Sequence, residues 1–333
     1  VRIWLVFAAL AAVHMVFCCT VGASAGAVYR GLVEKLSIGV PQSQVLAWGG
    51  EPVLRVPTPH GYEWLVYSGT EGEYVQVAAA NGRVVGFYTK MEGFSYAGVA
   101  VGDTAAGARN PTLMERVSVQ YAGASVEIAP ADGTADWIYL YAQEGGSVPT
   151  LVHFFIDRMD GSRITAIMVM ELPKALASGY HSYEMQWRGQ RPSLESEPIT
   201  GQKQTRADQA AARQLFYLAN ASRSRHGLEP LRWDETAAAA ARAHSQDMVA
   251  HGFFSHKSET RGQPWDRADE AGLEYATLGE NIAMGSADAI TAHHGWMNSP
   301  GHRSSILSRR FDAMGAGSAE STAFTQVFLE SLP

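Results

Sequence analysis

Two imidazoles and a carboxylate stand out in the last third of the chain. His256 closes the run Phe253-Phe254-Ser255-His256, Glu280 lies in Gly279-Glu280-Asn281-Ile282, and His302 lies in Asn298-Ser299-Pro300-Gly301-His302-Arg303. Each sits beside a residue type that stops or caps a regular element, so all three can reach one cleft from loops. Two neutral imidazoles and one carboxylate form a ligand set that Zn2+ accepts, leaving a fourth position for a water whose pKa the metal lowers. The metal candidates are therefore His256, His302 and Glu280, and the chemistry they would support is hydrolysis. Their spacing is longer than in any compact metal motif and no H-E-x-x-H occurs, so a second reading stands beside the first. In that reading Glu280 accepts hydrogen bonds from His256 and from backbone N–H groups, and pins its loop against the helices. Serine chemistry is poorer: no G-x-S-x-G is present, and Ser255 in an extended segment points away from its neighbour His256.

The elements that must hold these groups can be read from period and capping. Leu215, Leu218 and Ala219 carry helical spacing within 211–226, and Gly227 stops that helix. Asp234 is a good N-cap for an Ala-rich helix over 236–249. On it His244 shares a stripe with Ala237, Ala240, Ala241 and Met248, which suits a core histidine bonded to a backbone carbonyl or a further cleft ligand. A third helix is expected from near Ser286 to before Pro300, and Ser299-Pro300 can start a short one through His302 and Arg303. Asn281 and Arg303 are expected to fix loops. Two strands, 313–319 and 323–329, close the chain.

Taken together, these residues resemble a known family. The ordered motifs are L-x-x-A-N-x-x-R-x-x-x-G-L-x-P-L-x-W from Leu215 through Asn220, Gly227 and Pro230 to Trp233, then A-R-A-H-S-Q-D-M, G-F-F-S-H, P-W-D-R-A-D-E-A-G, G-E-N-I-A-M-G, W-M-N-S-P-G-H-R, M-G-A-G and F-T-Q-V-F. Residues 208–333 are thereby similar to the CAP superfamily (cysteine-rich secretory, antigen 5 and pathogenesis-related proteins) in its bacterial form. The resemblance implies a three-layer α-β-α sandwich with a central cleft, in a secreted protein. The activities it brings with it are sterol or lipid binding, host signalling and proteolysis. The family's cleft uses two His and two acidic residues. His256 and Glu280 match two of those positions, Ser299 stands where the second acid belongs, and Ala323 where the second His belongs. His302 is the nearest substitute for the missing imidazole.

Residues 28–187 read as a separate β-rich α+β domain of short strands with Gly and Asn turns, similar to the accessory domain that precedes some bacterial CAP domains. Two units repeat within it, 37–95 and 99–171: a V/I-G opening, an aromatic strand, an apolar strand, then a Gly-containing hairpin, which is Asn81-Gly82 in the first unit. His60, His153 and His181 are scattered there and read as structural, while Trp64, Tyr67, Trp137, Tyr139 and Tyr141 suit a core better than a sugar platform. Residues 188–207, polar apart from Leu194 and Ile199, read as an interdomain tether open to proteases.

At the start, Arg2, an apolar run and Ala23-Ser24-Ala25 have the order of a signal peptide, so 1–27 is expected to be a cleaved signal or a membrane anchor. The expected location is therefore secreted or in the cell envelope. Both cysteines, Cys18 and Cys19, lie in that segment, which leaves the rest of the chain without thiol chemistry. A net charge of -7 without basic blocks excludes nucleic acid as a partner. The expected partner is an extracellular lipid, peptide or cell-wall component. A non-enzymatic binding module is the leading function. A metal-assisted hydrolase and a structural protein of envelope or spore assembly are the alternatives.

Overall fold

The computed structural model describes residues 25–69, 72–107, 116–130, 138–143, 148–194 and 196–332. Residues 1–24 of the expected signal or anchor over 1–27, and Trp137, lie outside them. Among the described residues no helix is long and apolar enough to cross a membrane.

The N-terminal half opens with helices α1 (Ala25–Val33) and α2 (Gln42–Gly49), followed by strands β1 (Leu54–Pro57), β2 (Glu63–Ser68), β3 (Tyr74–Ala80) and β4 (Arg83–Thr89). A two-residue ribbon, β5 (Ser95–Tyr96) and β6 (Val99–Ala100), leads to β7 (Val117–Tyr121), β8 (Ala124–Pro130), β9 (Ile138–Gln143), β10 (Thr150–Asp157), β11 (Arg163–Glu171), α3 (Leu172–Ala177) and β12 (His181–Trp187). One antiparallel sheet runs β1-β2-β3-β4-β11-β10-β9, and a smaller one runs β12-β8-β7. The two sequence units meet edge to edge where β4 pairs with β11, forming one sheet rather than two packed bodies.

The units also correspond hydrogen bond by hydrogen bond. Gly39 N–H reaches Val84 O and Val84 N–H returns to Val40 O, while Gly102 N–H reaches Ile164 O and Ile164 N–H returns to Asp103 O, each at 2.8 Å. Both hairpins turn on two consecutive residues of positive φ, Asn81 and Gly82 (50° and 73°) and Gly161 and Ser162 (62° and 56°). That backbone matches the right-handed strand twist, which is why the turn residues are Asn, Gly and Ser.

The C-terminal half comprises α4 (Gln202–Arg225), β13 (Arg232–Trp233), α5 (Glu235–His251), α6 (Pro264–Glu270), β14 (Thr277–Met284), α7 (Ala289–Met297), α8 (Pro300–Ile306), β15 (Ala313–Ala319) and β16 (Ala323–Glu330). Its sheet runs β13-β15-β16-β14. Alternation along the central strands makes the three layers. Met314, Ala316, Phe324 and Phe328 bury against α4, α7 and α8 on one face. Ala313, Val327 and Leu329 bury against α5 and α6 on the other. Asp234 caps α5 by accepting from Ala237 N–H at 2.7 Å. The third helix starts at Ala289 rather than near Ser286, because Asp288 and Thr291 form a reciprocal capping box there. Gly315 and Gly317 lie against α5 so closely that a Cβ would strike the backbone of Ala238 and Arg242. The Gly-Ala pattern of β15 thus reflects how near this helix approaches the sheet.

The polar stretch 188–207 does not behave as a free tether. Leu194 packs on the N-terminal core. Ser196 Oγ and Glu197 N–H both donate to Pro59 O, at 3.1 and 2.7 Å. From Gln202 the chain is already helical. Low apolar content did not prevent order, because a preformed loop supplied a backbone acceptor. Helix α4 then buries two faces. Ala211, Ala212, Leu215 and Ala219 meet the C-terminal core, while Ala210, Leu218 and Ala221 join the N-terminal core.

Candidate functional site

The site is assembled on Arg267, in the P-W-D-R motif, a residue that neither period nor spacing marks as functional. Its side chain is 2% exposed and its guanidinium binds Glu280 Oε2 at 2.6 Å. The other terminal nitrogen donates to His256 O and Gly262 O, both at 2.9 Å. Helix α6, started by Pro264 and a Gln263/Asp266 capping box, aims Arg267 inward. The second carboxylate oxygen of Glu280 accepts from His256 Nδ1–H at 2.9 Å. That bond fixes the tautomer and leaves Nε2 as the basic nitrogen of His256. Glu280, 4% exposed, is therefore engaged through both oxygens, whereas His256 remains 49% exposed.

His244 is fully buried on α5. Its Nε2–H donates to Ser255 O at 3.1 Å and lies 4.0 Å from Glu280 Oε1. It is both the carbonyl-bonded core histidine and a neighbour of the acid. Burial, only partly offset by Glu280, lowers its pKa. His302 shares a 2.8 Å hydrogen bond with Ser299 Oγ, so the residue at the vacant acid position supports the substitute imidazole. Burial and then the His256 charge lower the pKa of His302. Asn281 donates to His302 O at 3.1 Å and to Gln326 Oε1 at 3.2 Å, tying α8 to the sheet. Ala323 is buried at the start of β16.

The zinc trio expected from the sequence is not assembled. Among the described residues, the group whose ligand atoms all lie within 4.8 Å of one another is Asp157, Asp160 and His226, not His256, Glu280 and His302. His302 is instead held by Ser299, and Glu280 is already paired with the Arg267 guanidinium. At Asp157 and His226 a side-chain cation is likewise present. Arg303 reaches Asp157 Oδ2 at 2.6 Å and donates to His226 Nε2 at 3.0 Å. Arg303 thereby links α8 to β10 across the boundary between the two halves. Asn298 works beside it, accepting from Arg158 N–H and donating to Ile156 O, both at 2.9 Å.

A second polar group lies sealed in the same boundary. Lys90 donates to Ser222 Oγ at 2.8 Å, and Ser222 Oγ bonds His293 Nε2 at 2.8 Å. Tyr88 OH bonds His294 Nε2 at 2.8 Å. Burial, then the Arg225 charge, holds the Lys90 pKa down at about 7. The residue types suggest a nucleophile, but Ser222 is 2% exposed and the cavity it lines is about 10 Å³. This cluster is a buried link between halves. No local motif marks it, since its members are separated by up to 206 residues.

These two halves define a class: an accessory β-rich domain joined to a CAP domain. Residues 216–329 match the Cysteine-rich secretory protein family, CAP, and residues 38–174 match the CAP-associated N-terminal family. The chain thus carries one domain that matches each of the two families. It is similar to the uncharacterized membrane protein YlbC of Bacillus subtilis, at 26% identity over 84% of this chain and 79% of that one. Its C-terminal part is similar to YkwD of the same organism, at 43% identity over 36% of this chain and 47% of that one. A Bacillus anthracis extracellular protein containing an SCP domain has 28% identity and a TM-score of 0.77, covering 88% of this chain and 94% of that structure. A cysteine-rich secretory protein from Staphylococcus aureus, at 18% identity and a TM-score of 0.70 over 88% of this chain and 94% of that one, shares the fold.

Proposed function

We propose that this protein is a non-enzymatic binding module working outside the cytoplasm, with the His256 face of its CAP domain as the binding surface. The observation that carries the reading is the state of Glu280, whose two oxygens are bound to Arg267 and His256. A carboxylate paired in this way is neither a free general base nor an open metal ligand. Two residues before His256 and two before Arg267, Phe254 and Trp265 are 57% and 52% exposed, a degree of aromatic exposure that suits a partner of peptide or cell-wall type. The location is supported by the extracellular relative of known structure.

Purified peptidoglycan and fluorescein-labelled casein are the probes. The protein should be retained on at least one without turning it over, and Phe254→Ala/Trp265→Ala should abolish retention while leaving thermal unfolding unchanged. Zinc-dependent cleavage of either probe that His256→Ala abolishes would overturn the proposal in favour of a metal-assisted hydrolase.

A further inference from the structure

We infer that the junction between the two domains is a binding site for a small, uncharged amphipathic molecule carrying a carbonyl-type oxygen, separate from the His256 face. A cavity of about 360 Å³ lies there. The N-terminal half contributes Val56, Trp64 and Tyr180, and the C-terminal half contributes Ala211, Ala287 and Phe324. Ligand sites of this size favour domain interfaces and walls that are mostly apolar and aromatic, with a few polar groups to orient the guest. Trp64 is 1% exposed and its indole N–H is buried without an acceptor. Most buried indole donors find a partner, so a ligand oxygen would supply what the protein does not.

The other polar groups narrow the class. His60 also lines the cavity with its Nδ1 unpartnered, and burial together with Lys174 holds its pKa near 4, so it is neutral. Tyr180 OH is used in donating to Asp288 Oδ2 at 2.7 Å, and Tyr62 OH is used by Ser178 at 2.9 Å. The formal charges among the lining residues are those of Asp288 and Glu320, which disfavours an anion. Asp288 is already satisfied by Tyr180 and by Thr291 N–H, and Glu320 is exposed to solvent, which leaves no buried unpaired carboxylate for a cation to meet. At one edge, Pro59 is fastened by Ser196 and Glu197 of the interdomain segment, so the same strap that orders that segment borders the cavity.

The test uses the full chain and Prodan, an uncharged naphthalene ketone whose emission moves to the blue in apolar surroundings. Saturable binding of one dye per chain with a blue shift is expected. Ala287→Phe, at a half-buried wall position, should weaken it at least tenfold by filling the space, and Trp64→Phe should weaken it by removing the donor. Binding to His256→Ala should be unchanged. Absence of saturable binding, or binding that both cavity variants leave intact, would overturn the inference. Circular dichroism melting identifies any variant that fails to fold, and either variant alone suffices.

Discussion

Acid should unfold this protein at a pH where most carboxylates are still ionised, because four imidazoles are buried in neutral form. His153, His181, His293 and His294 are all buried, and burial holds each pKa below the ordinary value, that of His181 at about 3. In the unfolded chain each titrates near about 6.5. As pH falls below that value the unfolded state takes up protons that the native state refuses, so the stability these groups confer is complete above the unfolded pKa and lost beneath it. At about pH 5.5 each imidazole costs about 1.4 kcal/mol, and four cost about 5 to 6 kcal/mol, comparable with the whole stability of a domain. Asp288 works in the opposite direction, because burial raises its pKa and the folded state keeps its proton longer. It is one group against four. Lys90, with a native pKa of about 7, is charged in both states over most of this window and adds little slope. Urea unfolding followed by tryptophan fluorescence at about pH 7.5, 6.5 and 5.5 reads the effect. His153→Phe, which keeps a ring against Phe155 and His181, should reduce the loss by about a quarter. Stability that is flat across the range, or a loss that His153→Phe leaves unchanged, would refute the reasoning.

Three further perturbations probe the packing around the site. Glu280→Ala strands the buried Arg267 guanidinium and should cost about 3 to 5 kcal/mol, whereas His256→Ala, at a half-exposed ring, should cost under about 1 kcal/mol; denaturant midpoints distinguish them. Arg303→Ala removes the partner of Asp157 at 2.6 Å, and limited proteolysis should then cut within 188–201 faster than in the parent protein. Gly317→Ala drives a methyl group into the α5 backbone at Arg242 and should lower the melting temperature severely, while Gly301→Ala, with open space around it, should be tolerated.

What was readable in the sequence and what was not divides by sequence distance. Capping at Asp234, the Asn81-Gly82 hairpin and the two closing strands β15 and β16 are local, and each was legible because propensity and turn chemistry are set within a few residues. His256 and Glu280 were singled out together through their motifs, yet their state depended on Arg267, 13 residues before Glu280 in the chain, and nothing in P-W-D-R announces a buried cation. The stretch 188–207, polar enough in composition for a tether, is ordered by contacts from outside itself. Composition reports whether a segment can fold alone, and this one has no need to, since Pro59 O gives its backbone an anchor and α4 continues from it. Helix α4 shows why two separately legible domains do not act as independent bodies. Its Ala210, Leu218 and Ala221 stripe would face water if the N-terminal sheet swung away, and Gln214 would lose its 2.6 Å bond to Gln76. Opening the junction exposes that stripe together with Lys90, Ser222 and His293, so the two cores should unfold as one cooperative unit rather than in sequence.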